Sequence, residues 1–130
     1  GAFVITGSVA GRQPVPLHAA YSATKGFELL LGEGLWSEVR PFGVDVLVVQ
    51  PGPVATEFEQ VAGEARVDPG MEETAEAVVA QALEALGKQP QVVTGWFNWL
   101  RANGIRAFPR TFTALLAHEV MERQVPPAMR

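Results

Sequence analysis

At 130 residues, with 48% hydrophobic and 18% charged side chains, the chain is long enough for one domain with a buried core and too apolar to be disordered. Its net charge of −4 lacks the basic footprint of a general nucleic-acid binder, and its zero cysteines leave no disulfide framework and no thiolate metal site, the pattern of a reducing cytoplasm. Two isolated histidines, His18 and His118, do not by themselves make a zinc cluster, so no metal is expected, and no run approaches the roughly twenty apolar residues of a membrane-spanning helix.

In chain order, Ala2 to Thr6 is a short apolar run ending at Gly7, the pattern of a buried parallel strand. Ser8 follows at the strand's end, and Gln13 to Ala20, with Pro14 and Pro16, reads as a loop containing His18. Tyr21 to about Val39 reads as a helix that stops before Pro41. Ala23, Phe27, Leu30, Leu31, Gly34 and Leu35 give it one apolar or small flank, and Leu29, Gly32 and Trp36 give it another. A helix apolar on two flanks is expected to be covered twice, by a sheet and by a partner subunit. At its head, Tyr21 and Lys25 are four residues apart, which puts a phenol and an ammonium on one helix face about one turn apart.

Val44 to Gln50 is β-branched and nearly unbroken in hydrophobicity, the mark of a central parallel strand, and Pro51 stops it. Glu57 to Val67 is polar with no strong period. Asp68-Pro69 looks like a helix cap with proline at the first helical position, and Ala75, Val78, Val79, Ala82, Leu83 and Leu86 supply an apolar stripe that Gly87 ends. Val92-Val93 before Gly95 reads as a last short strand. From Trp96 the character changes. Residues 1–95 carry five basic against twelve acidic side chains, whereas residues 96–130 carry five arginines against two glutamates. Five of the eleven aromatics also fall in this tail, with a helix expected over about Thr111 to Arg123. Its preferred reading is a lid or subunit contact. Peripheral membrane contact is the second reading, because arginines with Trp and Phe suit a headgroup boundary.

Three signals in this order, Gly7-Ser8-Val9-Ala10-Gly11, then Tyr21-Ser22-Ala23-Thr24-Lys25, then Pro51-Gly52-Pro53-Val54-Ala55-Thr56, resemble the C-terminal half of a short-chain dehydrogenase/reductase. The resemblance runs from Gly1 to about Gly95. It implies the α/β class, specifically the C-terminal part of a doubly wound, Rossmann-type parallel sheet over residues 1–95, with residues 96–130 as a helical extension. A rival register, in which Thr6 to Gly11 opens the family's glycine-rich pyrophosphate loop, fails because Gln13 stands where a glycine is needed and Pro14 and Pro16 follow where a helix should run. That loop and the family's catalytic asparagine are therefore expected upstream of Gly1, which is not Met and begins directly in a strand.

The resemblance assigns catalysis to Ser8, Tyr21 and Lys25. Hydride transfer between a nicotinamide and a ketone or secondary alcohol also moves one proton at the substrate oxygen. A phenol, with an ordinary pKa of about 10, needs a nearby cation to make its anion useful at neutral pH. Lys25 is expected to supply that charge and to hold the nicotinamide ribose together with Tyr21, while Ser8 holds the substrate oxygen. Pro51, Gly52, Val54 and Thr56 are expected to receive the carboxamide and adjoining phosphate of NAD or NADP, the choice between them lying outside these residues. The family also implies a small-molecule carbonyl or alcohol substrate and a homo-oligomer formed through the Tyr21 helix. The alternative is a non-catalytic fragment or partner-binding module that keeps the fold without the activity.

Overall fold

The computed structural model describes residues 1–57, 61 and 72–124. The expected Asp68-Pro69 cap and most of the polar segment from Glu57 to Val67 lie outside them. Three strands, β1 (Ala2–Thr6), β2 (Asp45–Gln50) and β3 (Gln91–Val93), form a parallel sheet in the order β1-β2-β3, with Ile5 opposite Val48 and Val48 opposite Gln91. A helix joins each consecutive pair: α1 (Ala19–Val39) and α2 (Ala75–Ala85).

The helices lie on opposite faces of the sheet, and the side-chain alternation of β2 shows why. Leu47 and Val49 point to the face covered by Ala82 and Ala85 of α2, joined by Val78, Leu86 and Val92. Val48 points the other way, into α1 at Gly32, where a Cβ would overlap Val48 Cγ2 and crowd Ile5 Cδ1 at 3.3 Å. Buried on both faces, β2 has every residue from Val46 to Gln50 at 3% exposure or less, which accounts for its unbroken apolar sequence. This is the three-layer, doubly wound α/β arrangement.

β1 forms the expected parallel strand but is less covered than β2. Among the described residues it has one ladder neighbour, and Phe3 and Val4 stand 67% and 49% exposed. Helix α1 begins two residues before Tyr21, and its sheet-facing flank is the one containing Gly32. The other flank is open, with Phe27 64% and Leu30 71% exposed.

Helix α2 is capped by Thr74, whose hydroxyl accepts from the Ala77 amide at 3.2 Å, with Glu76 in the first turn favourable to the helix dipole. Gly87, at φ +77°, follows its end as the glycine signal indicated. The tail forms two helices, α3 (Trp96–Gly104) and α4 (Arg110–Gln124). Only the second was legible in the sequence. Helix α3 is short and follows a left-handed Gly95, and it buries Asn98 and Ala102 against the body.

Candidate active site

All three sequence signals come to the carboxyl ends of β1 and β2, the edge at which open parallel sheets bind ligands. The chain leaves β1 through Gly7, whose amide still donates to Val49 O at 2.8 Å. Ser8 is extended, and its hydroxyl accepts from the Ala10 amide at 3.1 Å, capping a single 3-10 turn over Val9–Arg12. The Val9 amide donates to Pro51 O at 3.1 Å, which ties the serine turn to the loop after β2.

The same turn rests on α1. A Cβ on Gly11 would lie 2.6 Å from the carbonyl carbon and oxygen of Lys25 and 2.8 Å from the Gly26 nitrogen. Gly11 is thus a contact between two backbones, and its lack of a side chain sets how close Ser8 comes to the helix bearing Tyr21 and Lys25. Arg12 holds the turn from the sheet side. Its Nε donates to Gln50 Oε1 at 2.7 Å and its Nη2 to Gln91 Oε1, while Gln50 Nε2 donates to Gln91 Oε1 at 2.8 Å. Burial pushes the Arg12 pKa below its ordinary value. Repulsion from Arg106 adds to this, and Glu33 partly offsets it.

Between Ser8 and Tyr21, the loop is fixed by Ser22, which is buried. Its hydroxyl donates to Ala19 O at 3.1 Å and accepts from the Val15 amide at 3.4 Å. Leu17 in this loop has φ +67°, an unusual conformation for a branched, bulky side chain and a local strain of order 1–2 kcal/mol. His18 precedes the helix without capping it through its side chain.

Tyr21 is 38% exposed, and Lys25 Nζ lies 5.9 Å from the centroid of its ring. The ammonium donates to Thr6 O, at the end of β1, at 2.8 Å, and to Glu28 Oε2 at 2.9 Å. The side chain of Lys25 is therefore held against the strand end. Glu28 was not anticipated, although its spacing three residues beyond Lys25 on a helix is the signal that could have found it.

Pro51 is buried, and Gly52 sits against the Asn98 side chain so closely that any Cβ there would overlap it. Val54 pairs with Glu73: the Ala55 amide donates to Glu73 O at 2.9 Å and the Glu73 amide to Pro53 O at 3.0 Å. Thr56 lies just beyond, exposed. Glu73 and Asn98 carry no local sequence signal linking them to this loop. A cavity of about 930 Å³ lies elsewhere. Gly26, Phe27, Leu30, Ile105 and Phe108 help to line it, and Tyr21 and Lys25 do not. No group of side chains able to hold a metal occurs among the described residues, and no described helix is long and apolar enough to cross a membrane.

The Lys25 ammonium held at the end of β1, the Tyr21 phenol one helical turn before it, and the Pro51-Gly52 loop after β2 are groups able to donate to or accept from a polar ligand at this edge. The model of the short chain dehydrogenase family matches residues 1–67. The cyclic-di-GMP-binding biofilm dispersal mediator protein of Escherichia coli is 35% identical over 103 residues, covering 77% of this chain and 39% of that protein. The very-long-chain 3-oxoacyl-CoA reductase of Podospora anserina is 31% identical over 106 residues, covering 77% of this chain and 31% of that protein. Among solved structures, a 7beta-hydroxysteroid dehydrogenase superposes with a TM-score of 0.79 at 26% identity, over 91% of this chain and 48% of its own. A short chain dehydrogenase from Burkholderia cenocepacia, in complex with NADP, gives 0.65 at 27% identity, over 97% of this chain and 49% of its own. The chain thus spans well under half the length of these curated relatives.

Proposed function

Because the chain belongs to the short-chain dehydrogenase family, we propose that the protein carrying it is an NAD(P)-dependent oxidoreductase acting on a ketone or secondary alcohol. The observation that supports this most directly is the packing of Gly11 on Lys25 and Gly26 together with the Val9–Pro51 hydrogen bond, which gathers the Ser8 turn, the Tyr21 helix and the Pro51 loop at one edge.

When bound, the nicotinamide cofactor donates or accepts the hydride. The chain's own residues manage the oxygen and its proton. In the reductive direction Ser8 donates a hydrogen bond to the substrate carbonyl, and Tyr21 gives its hydroxyl proton to that oxygen as the alcohol forms; in oxidation Tyr21 takes the proton back. Lys25, with its charge 5.9 Å from the ring, stabilises the negative charge that builds on the phenol oxygen. Tyr21 and Lys25 also hold the ribose, and Pro51, Gly52, Val54 and Thr56 receive the carboxamide and phosphate. NAD and NADP are both compatible with these residues.

In the same reading, residues 1–95 belong to the Rossmann-type domain and residues 96–130 form a helical extension, and the protein works in the cytoplasm on a small-molecule substrate. The exposed Phe27–Leu30 flank of α1 supports a homo-oligomer formed through this helix. A second reading, a binding module that keeps the fold, draws on the Escherichia coli relative, whose name describes ligand binding. Tyr21→Phe in the full-length protein separates the two. Turnover followed by nicotinamide absorbance should all but disappear while cofactor binding persists, and Lys25→Ala should weaken both. Wild-type turnover in Tyr21→Phe would end the catalytic assignment.

A further inference from the structure

The loop proposed to receive the nicotinamide is held from behind by polar groups that the chemistry above does not use. Glu73 is the centre of this arrangement. Its backbone brackets Val54 on both sides through the Ala55 and Pro53 hydrogen bonds. Its carboxylate is surrounded by donors: Thr94 Oγ1 at 2.6 Å and Asn98 Nδ2 at 3.3 Å on one oxygen, and Gln81 Nε2 at 2.8 Å on the other. Gln81 in turn accepts from the Gly95 amide at 3.0 Å.

Thr94 is fully buried and Asn98 is 7% exposed, so these are not solvated surface contacts. The Asn98 side chain fills the space a Cβ on Gly52 would need, and a Cβ on Gly95 would lie 3.1 Å from both Asn98 Nδ2 and the Glu73 carboxylate. Glycine at 52 leaves room for the Asn98 side chain, and glycine at 95 for Asn98 and the Glu73 carboxylate.

We propose that Glu73, acting through Asn98 and its own backbone, is a positioning residue that sets the Gly52–Val54 backbone for the nicotinamide end of the cofactor. This rests on the oxidoreductase reading above and adds to it a role for α2 and for the tail helix α3. The carboxylate is suited to the task because it can accept from every neighbour at once. An amide in its place turns an NH₂ group toward Gln81 or toward Thr94 and Asn98. Flipping Gln81 to receive it points the Gln81 NH₂ at the Gly95 amide. Exchanging the two residues removes the conflict, since the amide introduced at position 73 would then donate to the carboxylate introduced at position 81, whose other oxygen still accepts from Gly95.

The test uses the full-length protein, with NADH and NADPH binding followed by nicotinamide fluorescence alongside melting temperature and steady-state kinetics. Glu73→Gln should weaken binding about tenfold, the scale of one hydrogen bond to a charged group, with KM for cofactor rising more than kcat falls. The double variant Glu73→Gln/Gln81→Glu should recover most of that loss. Asn98→Ala, which vacates the space beside Gly52, should loosen binding even if Glu73→Gln does not fold. Unchanged binding in either single variant overturns the proposal. So does a loss that follows the melting temperature and is not recovered by the exchange. Tyr21→Phe in the same assays separates the two claims: a dead Tyr21→Phe with an indifferent Glu73→Gln removes only the positioning role, whereas an active Tyr21→Phe removes the reading on which it rests.

Discussion

Gly11→Ala is the substitution that asks most sharply whether the close approach of two backbones sets the geometry of this site. The added Cβ would sit 2.6 Å from the carbonyl carbon and oxygen of Lys25, against a comfortable carbon contact of about 3.5–4.0 Å, so the serine turn and α1 must part by about 1 Å. No rotamer can relieve the overlap, because backbone lies on both sides. The turn is also restrained from behind, by Val9 on Pro51 and Arg12 on Gln50. Overpacking of this kind costs about 1–3 kcal/mol of stability. A displacement of about 1 Å between reacting groups costs on the order of 100-fold in rate. We therefore expect kcat/KM, measured in the full-length protein by nicotinamide absorbance, to fall by about 100-fold, more than the accompanying loss of stability would suggest. Gly104→Ala, at the end of α3, is the control. Nothing lies within 4 Å of its added Cβ, and helix propensity alone should stabilise it by up to about 1 kcal/mol. A Gly11→Ala protein with wild-type kcat/KM and melting temperature would refute the reasoning.

Arg12→Met should lower stability in denaturant by about 1–3 kcal/mol, because fully buried Gln50 loses the donor to its Oε1; no change would show that the guanidinium does not hold the turn. Deleting residues 96–130 should alter substrate affinity or oligomeric state rather than membrane attachment. Salt-sensitive co-sedimentation with anionic vesicles that vanishes on deletion would instead establish an interfacial tail. Residues 1–130 expressed alone should self-associate in sedimentation, since among the described residues β1 has a neighbour on one edge only and Phe3 and Val4 are exposed; a cooperatively melting monomer would contradict this.

By itself the sequence determined what short-range physics controls. The unbroken apolar run of β2, the proline that ends it, the apolar stripe of α2 with Gly87 beyond it, and the one-turn spacing of Tyr21 and Lys25 are all local periodicities, and each is present in the fold within two residues. Burial it left open, because burial depends on neighbours. The run at β1 has the composition of a buried strand, yet Phe3 and Val4 are exposed, because burial follows from what covers a face and not from what the face contains. Which flank of α1 meets the sheet was likewise undecided, since both flanks are apolar, and it was settled by Gly32, the position at which the helix can approach Val48 most closely. The parts of the site that only tertiary structure decided are its supports. Gly11 on Lys25, Arg12 on Gln50 and Gln91, and Glu73 on Thr94 and Asn98 join residues 14 to 79 positions apart. No helical or strand period reaches that far, and such contacts exist only once the sheet has brought the strand ends together.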